Sequence, residues 1–202
     1  GLKNKEIIEN QIRSLDKTDY QVTLFDCAKV DSSYGISYMA MSHFLLSLGF
    51  LSNWIGMMEF NLMLENKYDK FLATVKEQNA GKGWYDIRKK MSAVPALKKA
   101  ILTFMAEDEY EETRKLIDER IKTYDATKLK EDLSLYLEHY PEKKIVFFID
   151  EMSEALSQKK INLLDLEGLS EALSSLGNRV WTVGIAQQAF NDVLNASGLN
   201  IH

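Results

Sequence analysis

Lys144-Ile145-Val146-Phe147-Phe148-Ile149-Asp150-Glu151 contains an unbroken apolar run closed by two adjacent carboxylates. A strand that is apolar on both faces belongs inside a parallel sheet, because a strand with one wet face alternates apolar and polar residues. Downstream, Leu166, Leu169, Leu173 and Leu176 recur at helical spacing. After a turn at Gly177-Asn178, a second apolar run, Arg179-Val180-Trp181-Thr182-Val183-Gly184-Ile185, leads to the polar pair Gln187-Gln188. Strand, helix and strand make a βαβ unit, expected to be parallel, joined by a right-handed crossover and covered by helices on both sides.

Working outward, Tyr20-Gln21-Val22-Thr23-Leu24-Phe25 is rich in β-branched and aromatic residues and ends at Asp26, so it reads as a third strand. The remainder reads as helix. A segment over 3–15 carries Ile7, Ile8, Ile12 and Leu15 on one side, and helices are expected over 34–48 and 54–78. Beyond the loop Asn79-Ala80-Gly81-Lys82-Gly83, about four short helices fill 84–140. Met39, Met41, Met57, Met58 and Met63 read as core packing in preference to an adaptable partner groove. The acidic run Glu107-Asp108-Glu109 reads as a solvated helix start. The fold class is α/β: a parallel sheet of about three strands covered by many helices, in one domain over 1–202 with a helical insertion over about 34–140.

Composition narrows the function classes. The 202 residues are 46% hydrophobic and 27% charged, an ordinary globular balance with enough length for a sizeable core. Two prolines and ten glycines favour long helices over many turns. A net charge of −5 argues against a broad basic surface for non-specific nucleic-acid binding. One cysteine, Cys27, makes no intrachain disulfide, and the histidines (His43, His139, His202) form no zinc-type spacing with it. Residues 32–58 lack Asp, Glu, Lys and Arg, but serines and Gly49 interrupt them, so a buried helix pair is expected and no membrane span. No secretory pattern follows the lysines at the amino end, and a cytoplasmic setting is expected.

In open parallel sheets, ligands lie beyond the carboxyl ends of the strands. Asp26, Asp150, Glu151, Gln187 and Gln188 all fall at that edge. A carboxylate there can hold a hydrated magnesium ion, and its neighbour can orient or deprotonate a water attacking a γ-phosphate. An amide at the end of the next strand, Gln187 first and Gln188 second, would sense that phosphate. The plainer alternative is that Asp150 and Glu151 only end a strand and cap the next segment.

Phe148-Ile149-Asp150-Glu151, the leucine-rich helix, Gly177-Asn178-Arg179-Val180-Trp181 and the Gln187-Gln188 pair together resemble the P-loop ATPases of the additional-strand catalytic-Glu division. Within that division they are most similar to the large ATPase of bacteriophage-exclusion (BREX) defence systems. The resemblance covers about a quarter of the chain, over 145–156 and 163–194, and more weakly 22–26. It implies ATP and magnesium as cofactors, with Asp150 the Walker B carboxylate on magnesium through water, Asp26 close by, and Glu151 activating water. It also implies a larger assembly with other subunits, and it leaves nucleic acid open for the parent protein only, with no contact residue carried over to this chain; the missing strand adds self-association as an expectation.

The departure from that family is the phosphate-binding loop: no Gly-x-x-x-x-Gly-Lys-Ser/Thr occurs in the chain, and Gly81-Lys82-Gly83 lacks both the earlier glycine and the hydroxyl. A helix over 3–15 followed by a strand and Asp26 is the order expected just after such a loop. On this reading a central strand is missing beside the Walker B strand, leaving an apolar gap there. Two alternatives remain, a non-catalytic scaffold of the same fold and a two-metal nuclease, for which no companion lysine on a neighbouring strand is evident.

Overall fold

The computed structural model describes residues 19–29 and 33–185, so the expected helix over 3–15 and the pair Gln187-Gln188 lie outside the described residues. The fold is α/β. Three parallel strands, β1 (Asp19–Asp26), β2 (Lys143–Asp150) and β3 (Val180–Gly184), form one sheet in the order β1-β2-β3. The helices among the described residues are, in chain order, α1 (Gly35–Ser47), α2 (Trp54–Leu64), α3 (Tyr68–Gln78), α4 (Trp84–Ile87), α5 (Ala93–Ile101), α6 (Glu107–Lys122), α7 (Ala126–His139), α8 (Met152–Ser157) and α9 (Leu163–Ser174).

The chain divides into two compact units, one drawing on Gly1–Leu48 and Tyr124–His202, the other formed by Gly49–Thr123. The second lies inside the stretch expected to be a helical insertion. The first contains the sheet with α1, α7 and α9. Its core forms where Phe44 of α1 meets Tyr136 of α7 edge-on at 5.0 Å and Phe147 of β2 at 6.2 Å, with Ile145, Ile149, Leu133, Leu169 and Leu173 buried around them. Burying these side chains supplies the main favourable term, about 1.5–3 kcal/mol each.

Strand alternation sorts the sheet residues onto two faces. Gln21, Thr23 and Phe25 face α1: the Gln21 amide and the Thr23 hydroxyl donate to Ser47 Oγ at 2.9 and 3.2 Å, and Phe25 stacks on His43 at 5.2 Å. The opposite face carries Val22, Val146 and Trp181 in one register row and Leu24, Phe148 and Val183 in the next. Of these, Leu24 is 63% exposed, Trp181 54% and Val22 49%. Helices on both faces are therefore not what the described residues show: α1, α7 and α9 all lie with the first face. The order β1-β2-β3, advancing in one direction, accounts for this, because successive crossovers of one hand deposit their helices on one side.

Three further expectations are corrected. The helix over 54–78 is two helices, α2 and α3, broken where Asn66 takes a left-handed conformation at φ 57 after the Glu65 cap. Asparagine tolerates that conformation and ends helices there. The leucine-rich helix is preceded by the short α8, which starts directly after Glu151. Finally, no gap flanks β2, which pairs with β1 on one side and β3 on the other; any further strand must add at an outer edge. Of the methionines expected to pack in the core, Met39, Met41, Met57 and Met58 are buried and Met63 is partly exposed. Among the described residues no helix is long and apolar enough to cross a membrane; Gly49, at φ 82, lies between α1 and α2.

Candidate functional site

Register brings Asp26 and Asp150 together at the carboxyl edge, with Glu151 next in the chain. Asp26 and Asp150 are direct partners on neighbouring parallel strands, about 4.8 Å apart along the hydrogen-bonding direction. The chain leaves both strands tied: Cys27 N–H donates to the Asp150 carbonyl at 3.1 Å, and Ile185 N–H to the Ile149 carbonyl at 2.8 Å. Glu151 comes next in a left-handed conformation, φ 57 and ψ 33, that non-glycine residues adopt at a cost. Its N–H turns back to donate to Asp150 Oδ1 at 2.8 Å, and its carbonyl accepts from Ala155 N–H at 3.0 Å to open α8. The sharp turn thus places Glu151 directly after Asp150 at the strand end, its backbone tied to the Asp150 carboxylate.

Two lysines without a clear sequence signal belong to this edge. Lys29 Nζ lies 2.6 Å from Asp26 Oδ2, and Lys160, in the segment after α8, donates to the Ala28 carbonyl. The one hint for Lys29 is its position three residues after Asp26; nothing local marks Lys160. Asp26 Oδ1 also accepts from Ala28 N–H at 3.0 Å. The Lys29 ammonium holds the Asp26 carboxyl below its ordinary range, assisted by that N–H and opposed by partial burial. Lys29 is raised in turn by Asp26 and, more weakly, by Glu151 and Glu154.

Glu151 goes the other way. Loss of water around it and the charges of Asp150, Glu154 and Asp26 raise its carboxyl above the usual value. Cys27 is fully buried beneath the edge, its Sγ donating to the Asp150 carbonyl at 3.1 Å. Burial first, then the negative charges of Asp26, Asp150 and Glu151, push its thiol up to about 11, so it is no nucleophile at neutral pH.

Among the described residues no group of three or more His, Cys, Asp and Glu is placed to hold a metal ion directly. The donor set instead suits outer-sphere contact. Asp150 has one oxygen committed to Glu151 N–H, and Asp26 is engaged by Ala28 and Lys29, so a magnesium ion here would keep most of its water, as magnesium prefers.

A second buried polar cluster, in the other unit, had no sequence signal. Glu59 of α2 is fully buried and accepts from Trp84 Nε1 at 2.7 Å, Tyr68 Oη at 2.9 Å and Leu51 N–H at 3.1 Å, with Arg88 Nη1 at 3.6 Å. Every one of these partners lies within Gly49–Thr123, so the carboxylate reads as a structural hub of that unit. Compared with known proteins, the chain matches no family model, no curated protein and no solved structure.

Proposed function

We propose that this chain is the Walker B-bearing part of an ATP-binding and hydrolysing P-loop domain belonging to a larger, defence-related ATPase. The observation that carries the reading is the placement of Asp26 and Asp150 as register partners at the carboxyl edge of parallel strands, with Glu151 next in the chain at a left-handed turn. Asp150 would hold hydrated magnesium, whose chemistry is to neutralise the β- and γ-phosphates of ATP. Glu151, with its raised carboxyl, would orient the attacking water and take its proton. Asp26, paired with Lys29, would hold a fixed charge at the flank. Gln187 or Gln188 would report on the γ-phosphate. The phosphate loop would come from elsewhere in the parent, whose setting would be cytoplasmic and whose partners would be other subunits or further copies; any nucleic-acid contact would belong to the parent and not to this chain.

Glu151→Gln in the parent ATPase is the direct test. Turnover should fall by about 100-fold or more while nucleotide binding is retained, as for loss of a general base. An unchanged rate would sink the proposal.

A scaffold of the same fold is the second reading. It is favoured by one observation, the Lys29–Asp26 ion pair, which already neutralises a carboxylate that a nucleotide site would leave for its cation. On that reading neither Glu151→Gln nor Asp150→Asn changes any rate, and Mg-ATP does not alter the protein's thermal stability.

A further inference from the structure

We propose that the turn between α4 and α5 is a self-association knob, whose lysines and Met91 dock on the acidic side of α6 in a second copy of the chain. From Arg88 to Ser92 the turn is held by its own backbone: Lys90 N–H donates to the Ile87 carbonyl at 2.9 Å and Ala93 N–H to the Lys90 carbonyl at 3.0 Å. Buried Trp84, Ile87, Ala93 and Leu97 anchor it at both ends, so it loses little conformational freedom on docking. Met91 is fully exposed, and Tyr85, Val94, Lys82, Lys89 and Lys90 near it in the chain are exposed too. Between Lys82 and Lys99 the sequence has six cations and one carboxylate, Asp86, in a chain whose net charge is −5. Lys82, Lys89 and Lys90 form no ion pair among the described residues, whereas Lys98, Arg114 and Lys115 of the same unit are paired.

The matching surface belongs to the same Gly49–Thr123 unit. In α6, Glu109, Glu112 and Leu116 recur at spacings of three and four, so they share one side of the helix, and all three are exposed. Lys98 already takes Glu107 at 2.8 Å and Glu111 at 2.7 Å, while Glu109 and Glu112 form no ion pair among the described residues. The helix dipole favours Glu109 in the first turn, but its effect fades before Glu112 and gives Leu116, 57% exposed, no reason to be there. An apolar knob among unpaired lysines therefore finds, on every other copy, an apolar residue beside unpaired carboxylates. Opposite charges steer such a contact and fix its register, and salt screens it. Nucleic acid and an anionic membrane suit the turn less well, because neither uses Glu109, Glu112 and Leu116. Arg88 also lies over the Tyr85 ring at 4.5 Å, on a face that a stacking base would need. The contact needs no nucleotide chemistry and is independent of the ATPase reading.

Sedimentation velocity on the intact chain, without nucleotide, tests it. The native chain should associate, and raising salt from about 0.05 M to about 0.5 M should weaken association at least about fivefold, as screening of exposed charges requires. Lys89→Glu with Lys90→Glu should weaken it about tenfold or more, and Glu109→Lys with Glu112→Lys by as much, since each sets like charges against each other. An equimolar mixture of the two double variants should recover association, because each reversed surface then meets its opposite; recovery also shows that both are folded. Met91→Asp, at a fully exposed position, should weaken association as well. Three results would overturn the inference: association that salt leaves unchanged; a mixture that stays monomeric while both double variants keep the native circular dichroism; or a native chain monomeric at about 1 mM. In the last case, binding of single-stranded DNA or phosphatidylserine vesicles that is lost in Lys89→Glu with Lys90→Glu would assign the turn to that polyanion. Because salt dependence is read on the native chain, a variant that fails to fold leaves the test intact.

Discussion

At the scale of single residues, the buried carboxylate of Glu59 makes the sharpest claim. Three donors, Trp84 Nε1, Tyr68 Oη and Leu51 N–H, converge on it, and its carboxyl is raised by burial against the pull of those donors and of Arg88. Glu59→Ala strands all three donors and the guanidinium, and should cost about 3 kcal/mol in urea unfolding. Glu59→Gln keeps the shape but turns an amide N–H₂ toward a donor, so its cost should be smaller, about 1 kcal/mol. Equal midpoints for both variants and the native chain would refute the hub. At the sheet edge, Lys29→Ala removes the cation that lowers Asp26, so the Asp26 carboxyl should titrate at higher pH in carbon-detected NMR. An unmoved Asp26 would show that the ion pair seen at 2.6 Å is not populated in solution. These pairings were not legible in the sequence. Asp26 and Asp150 stood out because each ends an apolar run, whereas Glu59 is a lone carboxylate in a helix, and its partners up to Arg88 become neighbours only through folding.

At the scale of elements, two contacts decide whether helices end where they do. Arg179, just before β3, spreads its guanidinium over four backbone bonds: to Leu137 and Tyr140 carbonyls at 3.0 and 2.7 Å, and to the Lys143 carbonyl from Nε and Nη2 at 3.2 and 2.9 Å. It thereby caps α7, whose last carbonyls have no intrahelical partner, and fixes the start of β2. Arg179→Lys keeps the charge and loses the fork, and a loss of about 2 kcal/mol in stability is expected. No change in the unfolding midpoint would place that capping elsewhere. Gly56 in α2 has an opposite kind of constraint: a Cβ there would sit 1.7 Å from the Leu51 carbonyl oxygen. Gly56→Ala should cost about 3 kcal/mol although alanine is the better helix former, and a neutral or stabilising result would mean that the 51–56 turn moves freely. The strands were readable because a run such as Ile145-Val146-Phe147-Phe148-Ile149 has only one home in a globular protein. The break at Asn66 was hidden, because the apolar spacing of Phe60, Leu64, Tyr68 and Phe71 runs through it without interruption.

At the scale of the whole molecule, the sheet's amphipathic logic was legible only in part. Two-sided apolar strands announce a parallel sheet, but they do not say which chain segment covers each face, and here strand order put α1, α7 and α9 on one side. The covered side contains a group that links this architecture to pH. His43 of α1 is half-buried and stacked on Phe25 of β1 at 5.2 Å, and burial lowers its imidazole below the ordinary 6.5. The unfolded chain therefore binds this proton more readily than the folded one. The stability associated with neutral His43 is fully present above about pH 6.5 and is lost as pH falls through the lowered folded-state value. Urea midpoints should accordingly rise as pH is raised toward about 6.5, with a slope from this residue of at most about 1.4 kcal/mol per pH unit. His43→Phe preserves an aromatic ring against Phe25 and removes the proton. Because native and variant chains share Glu59 and Asp26, the difference between their pH profiles isolates the imidazole. That difference should vanish only if His43 is as free to protonate in the fold as out of it, an outcome incompatible with a helix packed ring-on-ring against the first strand.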